Sequence, residues 1–118
     1  MMTDCIFCKI VNGEIPAEVV YNGTNVTAFR DINPVAPVHI LIVPNRHIDH
    51  IRDPRAFEDD VLKEMIQVAN QVAEMEGVAE SGYRLLVNYG PDANLVVPHL
   101  HLHLIGGRPL GPMVTRQA

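Results

Sequence analysis

Tryptophan is absent from these 118 residues, cysteine occurs twice, and nine lysines and arginines stand against fourteen acidic residues. The scarcity of cysteine and of basic residues each removes a class of protein. At a formal net charge of −5, with the basic residues scattered, no stripe could track a polyphosphate backbone, so a nucleic acid polymer is not an expected partner. One or two phosphates could still be held by backbone N–H groups and imidazoles, which leaves mononucleotides open. Two cysteines cannot build a disulfide framework. No apolar run approaches the roughly 18 residues of a membrane span. Met1 to Asp4 also lack a basic segment followed by an apolar one, so a cytoplasmic location without membrane association is expected. The phosphate loops of doubly wound folds, Gly-x-x-x-x-Gly-Lys and Gly-x-Gly-x-x-Gly, are missing too. What is present, 47% hydrophobic and 19% charged residues, is the composition of a globular chain with one core, a single domain over residues 1–118.

Along the chain, Asp4 can cap a short helical turn through Ile6, Phe7 and Ile10 that ends near Asn12-Gly13. Val19 to Tyr21 and Val26 to Asp31 are β-rich runs separated by Asn22-Gly23, the pattern of a hairpin. After the proline-punctuated loop Asn33 to Pro37, a continuous apolar strand runs from Val38 to Val43 and Pro44 closes it. Asp53-Pro54 reads as an N-cap with proline at the first helical position. The stripe Leu62, Met65, Ile66, Ala69, Val72, Ala73 then continues at helical spacing until Gly77. A second stripe, Val61, Met65, Val68, Val72 and Met75, widens the apolar face, which suits either a deeply embedded helix or a homodimer surface. Arg84 to Tyr89 forms a fourth strand, Gly90-Pro91-Asp92 turns the chain, and a last strand runs to Gly106-Gly107. The expected class is α+β, a five-stranded mainly antiparallel sheet with one long helix and a short N-terminal helix.

That last strand is the most informative stretch. His99, His101 and His103 alternate with Leu100, Leu102 and Leu104, so one face carries imidazoles and the other leucines. Rings at i and i+4 start roughly 13 Å apart on a strand, too far for one ion to gather all three at metal–nitrogen bonds of about 2.0–2.1 Å. A row divided into separate roles is the favoured reading over a three-histidine metal site or a purely structural row. A neutral imidazole is a good nucleophile toward phosphorus when its other nitrogen is held by an acceptor. His101 is best placed for this, because His99 and His103 flank it and could orient it, bind phosphate oxygens or pass a proton to a leaving group.

Cys5 and Cys8 have the C-x-x-C spacing of half a tetrahedral zinc site, and His47 and His99 are the chosen completing ligands. Cys₂His₂ has no open position, so such an ion would be structural. Two inert thiols and redox chemistry are the alternatives, although no strand precedes Cys5 as a thioredoxin-like unit requires.

His99-Leu100-His101-Leu102-His103-Leu104-Ile105 resembles the signature of the histidine-triad nucleotide-binding proteins, and further blocks resemble their HINT branch in the same order. These are Cys5 to Ile10, Gly13 to Ala17, Ala28 to Ile32, Pro34 to Pro37, Pro44 to Ile48, Gly82 to Asn88 and Gly106 to Arg108. The resemblance implies hydrolysis or transfer at the α-phosphate of a purine nucleotide, typically a phosphoramidate or acyl adenylate, through a covalent nucleotidyl-histidine. It implies that His101 is the nucleophile, that His103 and Asn88 contact the phosphate, and that Asp31 accepts from the ribose hydroxyls. Ile6, Phe7, Ile10, Phe29 and Ile32 would line the base pocket. It also implies zinc on Cys5, Cys8, His47 and His99, no organic cofactor, and a homodimer. Core packing is the plain alternative for the five apolar residues.

Two departures stand out. Many HINT proteins carry Gln-Ser where this chain has Leu95-Val96, and neither of these side chains can donate to a phosphate. The tail Pro109 to Met113 also lacks the tryptophan of animal members. A nucleotide-binding regulatory or scaffold module with little turnover is therefore the second reading, and a hydrolase with catalytic zinc on His99 and His101 the third.

Overall fold

A computed structural model describes residues 5–114. Helix α1 (Ile6–Val11) is followed by strands β1 (Val19–Asn22), β2 (Val26–Arg30) and β3 (Val38–Pro44). A 3₁₀ turn (Pro54–Phe57), helix α2 (Val61–Met75), β4 (Tyr83–Leu86), a second 3₁₀ turn (Pro91–Ala93) and β5 (Leu102–Gly106) complete the order. The five strands form one antiparallel sheet in the order β1-β2-β3-β5-β4. The expected architecture is observed.

The central strand β3 explains the layering. All seven of its residues are buried, because α2 covers one face and α1 the other, which is why Val38 to Val43 reads as an apolar run rather than an alternation. Val38, Ile40 and Ile42 point toward α2 and join Val26, Ala28, Leu100, Leu102 and Leu104 against Met65, Val68, Ala69 and Val72. Leu41 and Val43 point the other way, into a smaller cluster with Phe7 and Phe29. Arg30 closes the α2 side from the end of β2, forking onto Glu76 at 2.7 and 2.9 Å and reaching Glu18 at 2.9 Å.

Several boundaries differ from the sequence reading. The N-cap of α1 is Cys5, whose sulfur accepts from the Cys8 amide; the expected cap, Asp4, lies outside the described residues. Asp53 caps only the 3₁₀ turn, where its carboxylate also takes the Arg55 guanidinium. The long helix starts afresh at Val61, because Asp59 and Asp60 both adopt left-handed backbone and interrupt helical geometry between the two. β4 ends at Leu86 rather than Tyr89, since Leu86 pairs with His103 near the beginning of β5 and the chain beyond it has no ladder partner. Likewise only His103 of the three lies within β5. His99 and His101 precede it, and their stretch is held instead by Leu100 N–H donating to the Ile48 carbonyl at 2.7 Å. Alternation survives nonetheless, with all three leucines in the α2 core.

The wide face of α2 is mostly consumed by that core. Met65, Val68 and Val72 of the second stripe are buried, leaving Met75 (57% exposed), with Ile66 of the first stripe (47%), on the surface. Leu104 is fully buried in the larger cluster, so Leu104→Ala should lower unfolding free energy by about 3 kcal/mol, whereas Met75→Ala should change it by less than about 1 kcal/mol. Urea denaturation of the two variants measures both, and equal losses would contradict the layering described.

Candidate functional site

The site grows from the N-terminus of α1. Because Cys5 is the N-cap and Cys8 lies three residues on, both sulfurs sit on the side of α1 that meets the sheet. His47, just past β3, brings Nδ1 to 3.2 Å from the Cys8 sulfur. His99 is completely buried and brings Nδ1 to 3.2 Å from Cys5 and 3.5 Å from Cys8. The four ligand atoms lie within 4.8 Å of one another and could hold a metal ion. A tetrahedron with ordinary zinc–sulfur and zinc–nitrogen bonds has a sulfur–nitrogen edge of about 3.6 Å, close to these separations.

The outward nitrogens support the same reading. His47 Nε2–H donates to Asp49 at 2.7 Å and His99 Nε2–H donates to the Pro44 carbonyl at 2.9 Å. Each ring therefore presents a bare Nδ1 to the thiols, as metal-ligating histidines do when an outer acceptor fixes the tautomer. Burial, followed by the Cys5 sulfur, pushes the Cys8 thiol up to about 11, and burial pushes His99 down to about 4. The surroundings alone therefore disfavour the thiolate that a metal ion needs, and that form would require the cation to be bound.

His101 is joined to this cluster through the backbone. Its Nδ1–H donates to the His99 carbonyl at 2.7 Å, and because a carbonyl can only accept, the lone pair resides on Nε2. Phe7, between the two cysteines, sets its ring edge-on to His101 at 5.1 Å and to His99 at 5.8 Å. Burial lowers the pKa of His101, so the ring is neutral at pH 7.

Beyond it lies His103, with its ring 5.0 Å from His101 and 5.2 Å from His39. His39 Nε2 approaches His103 Nδ1 at 3.0 Å and Asp31 Oδ2 at 3.5 Å. These three residues also bring donor atoms within 4.8 Å of one another. A metal ion suits them poorly, because the Val35 amide donates to His39 Nδ1 at 3.2 Å, so Nε2 must carry that ring's proton. The trio is a hydrogen-bonded string.

The structure thus gathers Cys5, Cys8, His47 and His99 into one cluster and sets His101 and His103 beside it. Phe7, Phe29 and Ile10 pack together in the smaller apolar cluster, whereas Ile6 is exposed and Ile32 is 87% exposed, outside that cluster. Core packing therefore accounts for the first three and not for Ile32. Asp31 sits at the end of β2, with Oδ1 accepting from the Asn33 amide at 2.8 Å; Asn88 is half-buried beyond β4. Val96 projects into solvent (77% exposed), and it is Val97 that packs against the Phe7 cluster. Three participants escaped the sequence reading: His39, Asp49 and the Pro44 carbonyl. Only His39 left a signal, as the one polar residue inside an apolar strand.

Comparison with known proteins gives this geometry its relatives. Purine nucleoside phosphoramidase of Escherichia coli is 50% identical over 117 residues, covering 99% of this chain and 98% of that one. A HIT family hydrolase from Clostridium thermocellum superposes with a TM-score of 0.91 at 43% identity, over 98% of this chain and 100% of the other. A zinc-bound histidine triad family protein from Mycobacterium smegmatis superposes at 0.78 with 28% identity, over 98% and 83%. A family model of the HIT domain matches residues 12–110, which take in the whole sheet, α2 and all three alternating histidines, and the chain belongs to the HIT-domain family.

Proposed function

We propose that this protein is a purine nucleoside phosphoramidase, a hydrolase acting at the α-phosphate through a covalent nucleotidyl-His101 intermediate. The observation that carries the reading is the hydrogen bond from His101 Nδ1–H to the His99 carbonyl, which leaves an unshared pair on Nε2 of a neutral ring. The 50% identity to a purine nucleoside phosphoramidase supports the substrate class. In the first step Nε2 attacks phosphorus, the nitrogen–phosphorus bond of the phosphoramidate breaks, and the amine departs with a proton taken from solvent, which the water of the second step returns. Water then attacks the same phosphorus, the histidine–phosphorus bond breaks, and a nucleoside monophosphate and neutral His101 are restored.

The neighbours have separable tasks. His99 orients the nucleophile through its carbonyl, and the positive charge that develops on His101 is spread onto that acceptor. His103 and Asn88 contact the phosphate, Asp31 accepts from the ribose, and Phe7, Phe29, Ile10, Ile6 and Ile32 border the base. Structural zinc on Cys5, Cys8, His47 and His99 would fasten α1 to the stretch before β5. The exposed Ile66 and Met75 suit a homodimer.

Replacing His101 with Ala should abolish turnover of an adenosine phosphoramidate while nucleotide binding stays measurable; turnover near the parent rate would reject the assignment. The pH dependence has a definite sign. With the His101 pKa lowered from 6.5 by burial, the ring stays unprotonated on mild acidification, so kcat/KM should hold between pH 7.5 and 6.5. A fall centred at or above pH 6.5 would count against a buried nucleophile. For the metal, elemental analysis of reduced protein should find about one zinc per chain, lost in a Cys5→Ser, Cys8→Ser double variant. Protein that is folded, reduced and zinc-free after purification without chelator would exclude that role.

A further inference from the structure

Among the described residues, one buried side-chain polar atom has no hydrogen-bond partner: Nε2 of His103. Buried polar groups are almost always paired, so an orphan beside a row of histidines calls for an explanation. The residues behind it determine what kind of group it is. Burial lowers the pKa of His39 and takes His103 down to about 4, so both rings are neutral at pH 7 and each carries one N–H.

An amide can only donate. The Val35 N–H directed at His39 Nδ1 at 3.2 Å therefore assigns the His39 proton to Nε2. That Nε2–H lies 3.0 Å from His103 Nδ1 and 3.5 Å from Asp31 Oδ2, so the shorter contact is with the imidazole. His103 Nδ1 accepts, and its only proton must be on Nε2. The orphan atom is a donor, of the polarity that meets an acceptor-only phosphate oxygen.

The Val35 amide is itself held in place from the end of β5. Arg108 donates to the Val35 carbonyl at 2.8 Å and to the Pro109 carbonyl at 2.9 Å. Gly107 lets this contact form: it has φ +93°, and a Cβ on it would lie 2.9 Å from Pro37 Cβ. The proline-flanked loop at 34–37 thus rests on the Gly107-Arg108 corner, with the Val35 side chain in solvent and its backbone facing inward.

We propose that Arg108, the Val35 amide and His39 form a positioning relay that fixes the proton of His103 on Nε2 and holds it ready for a phosphate oxygen. His39 and Arg108 act through His103. If the Val35 amide were removed, His39 could carry its proton on Nδ1 and present a lone pair to His103. His103 would then place its own proton on Nδ1 and turn a lone pair toward the phosphate, repelling it. The use of the donor in turnover rests on the function proposed above; the tautomer itself does not.

Nitrogen-15 NMR of the imidazole rings reads the tautomer directly, alongside kcat and KM for an adenosine phosphoramidate. The parent protein should show His103 protonated at Nε2. Val35→Pro, which deletes the amide proton, and His39→Leu should both move that proton or leave a mixture, and kcat should fall by about 10²-fold with little change in KM. His39→Gln retains a side-chain N–H for His103 and should restore most of both signals. If Val35→Pro does not fold, the Leu and Gln variants at position 39 decide alone. Protonation of His103 at Nδ1 in the parent, or an unchanged Nε2 tautomer in His39→Leu, overturns the relay. A shifted tautomer with unaltered kcat overturns its use in the reaction. A parent protein without any turnover refutes the proposed function, while the NMR result still judges the relay.

Discussion

A single hydrogen bond, from the His101 ring to the backbone oxygen of His99, joins the two halves of the site. The imidazole of His99 belongs to the sulfur and histidine cluster at α1, while its carbonyl sets the direction in which His101 presents its lone pair. Anything that holds His99 therefore also holds its neighbour. Three constraints do so: the Pro44 carbonyl takes its Nε2 proton, the thiols face its Nδ1, and the adjoining Leu100 is sunk into the α2 core and bonded to Ile48. The ring geometry is thus fixed by contacts within the protein, which is the condition for electrostatic and orientational catalysis.

The sheet works as a partition. On the α2 side it faces a continuous apolar core, and on the α1 side a small apolar cluster shares space with five histidines. These imidazoles can be accommodated because burial favours the neutral form of His39, His99, His101 and His103 and because most of their nitrogens have partners. Lowered histidine pKa values also carry a stability consequence. Between the lowered folded values and the unfolded value near 6.5, the unfolded chain binds more protons, so stability declines as pH falls from 6.5 toward 4.

Much of this was legible in the sequence because it rests on local rules. Alternation of leucine and histidine survives even where the ladder does not, since it follows from an extended backbone with one face in a core. Cys5, Cys8, His47 and His99 were identifiable from ligand chemistry and count, and they converge. The start of α2 was misread because Asp53-Pro54 is a genuine cap for a different element, and nothing in Asp59-Asp60 announces left-handed backbone. His39 was hidden inside an apolar run, as its role depends on a strand neighbour 64 residues away. The exposure of Ile32 and Val96 depends on loop placement, which apolar character alone does not encode.

What distinguishes the account from a binding module with the same pocket is covalent chemistry at one nitrogen. Rapid mixing with an adenosine phosphoramidate, a quench that avoids acid, intact-mass spectrometry and peptide mapping would test it most directly. The account predicts a transient mass gain of one nucleoside monophosphate, carried by His101. Sustained turnover without any adduct, or an adduct mapped to another residue, would contradict it.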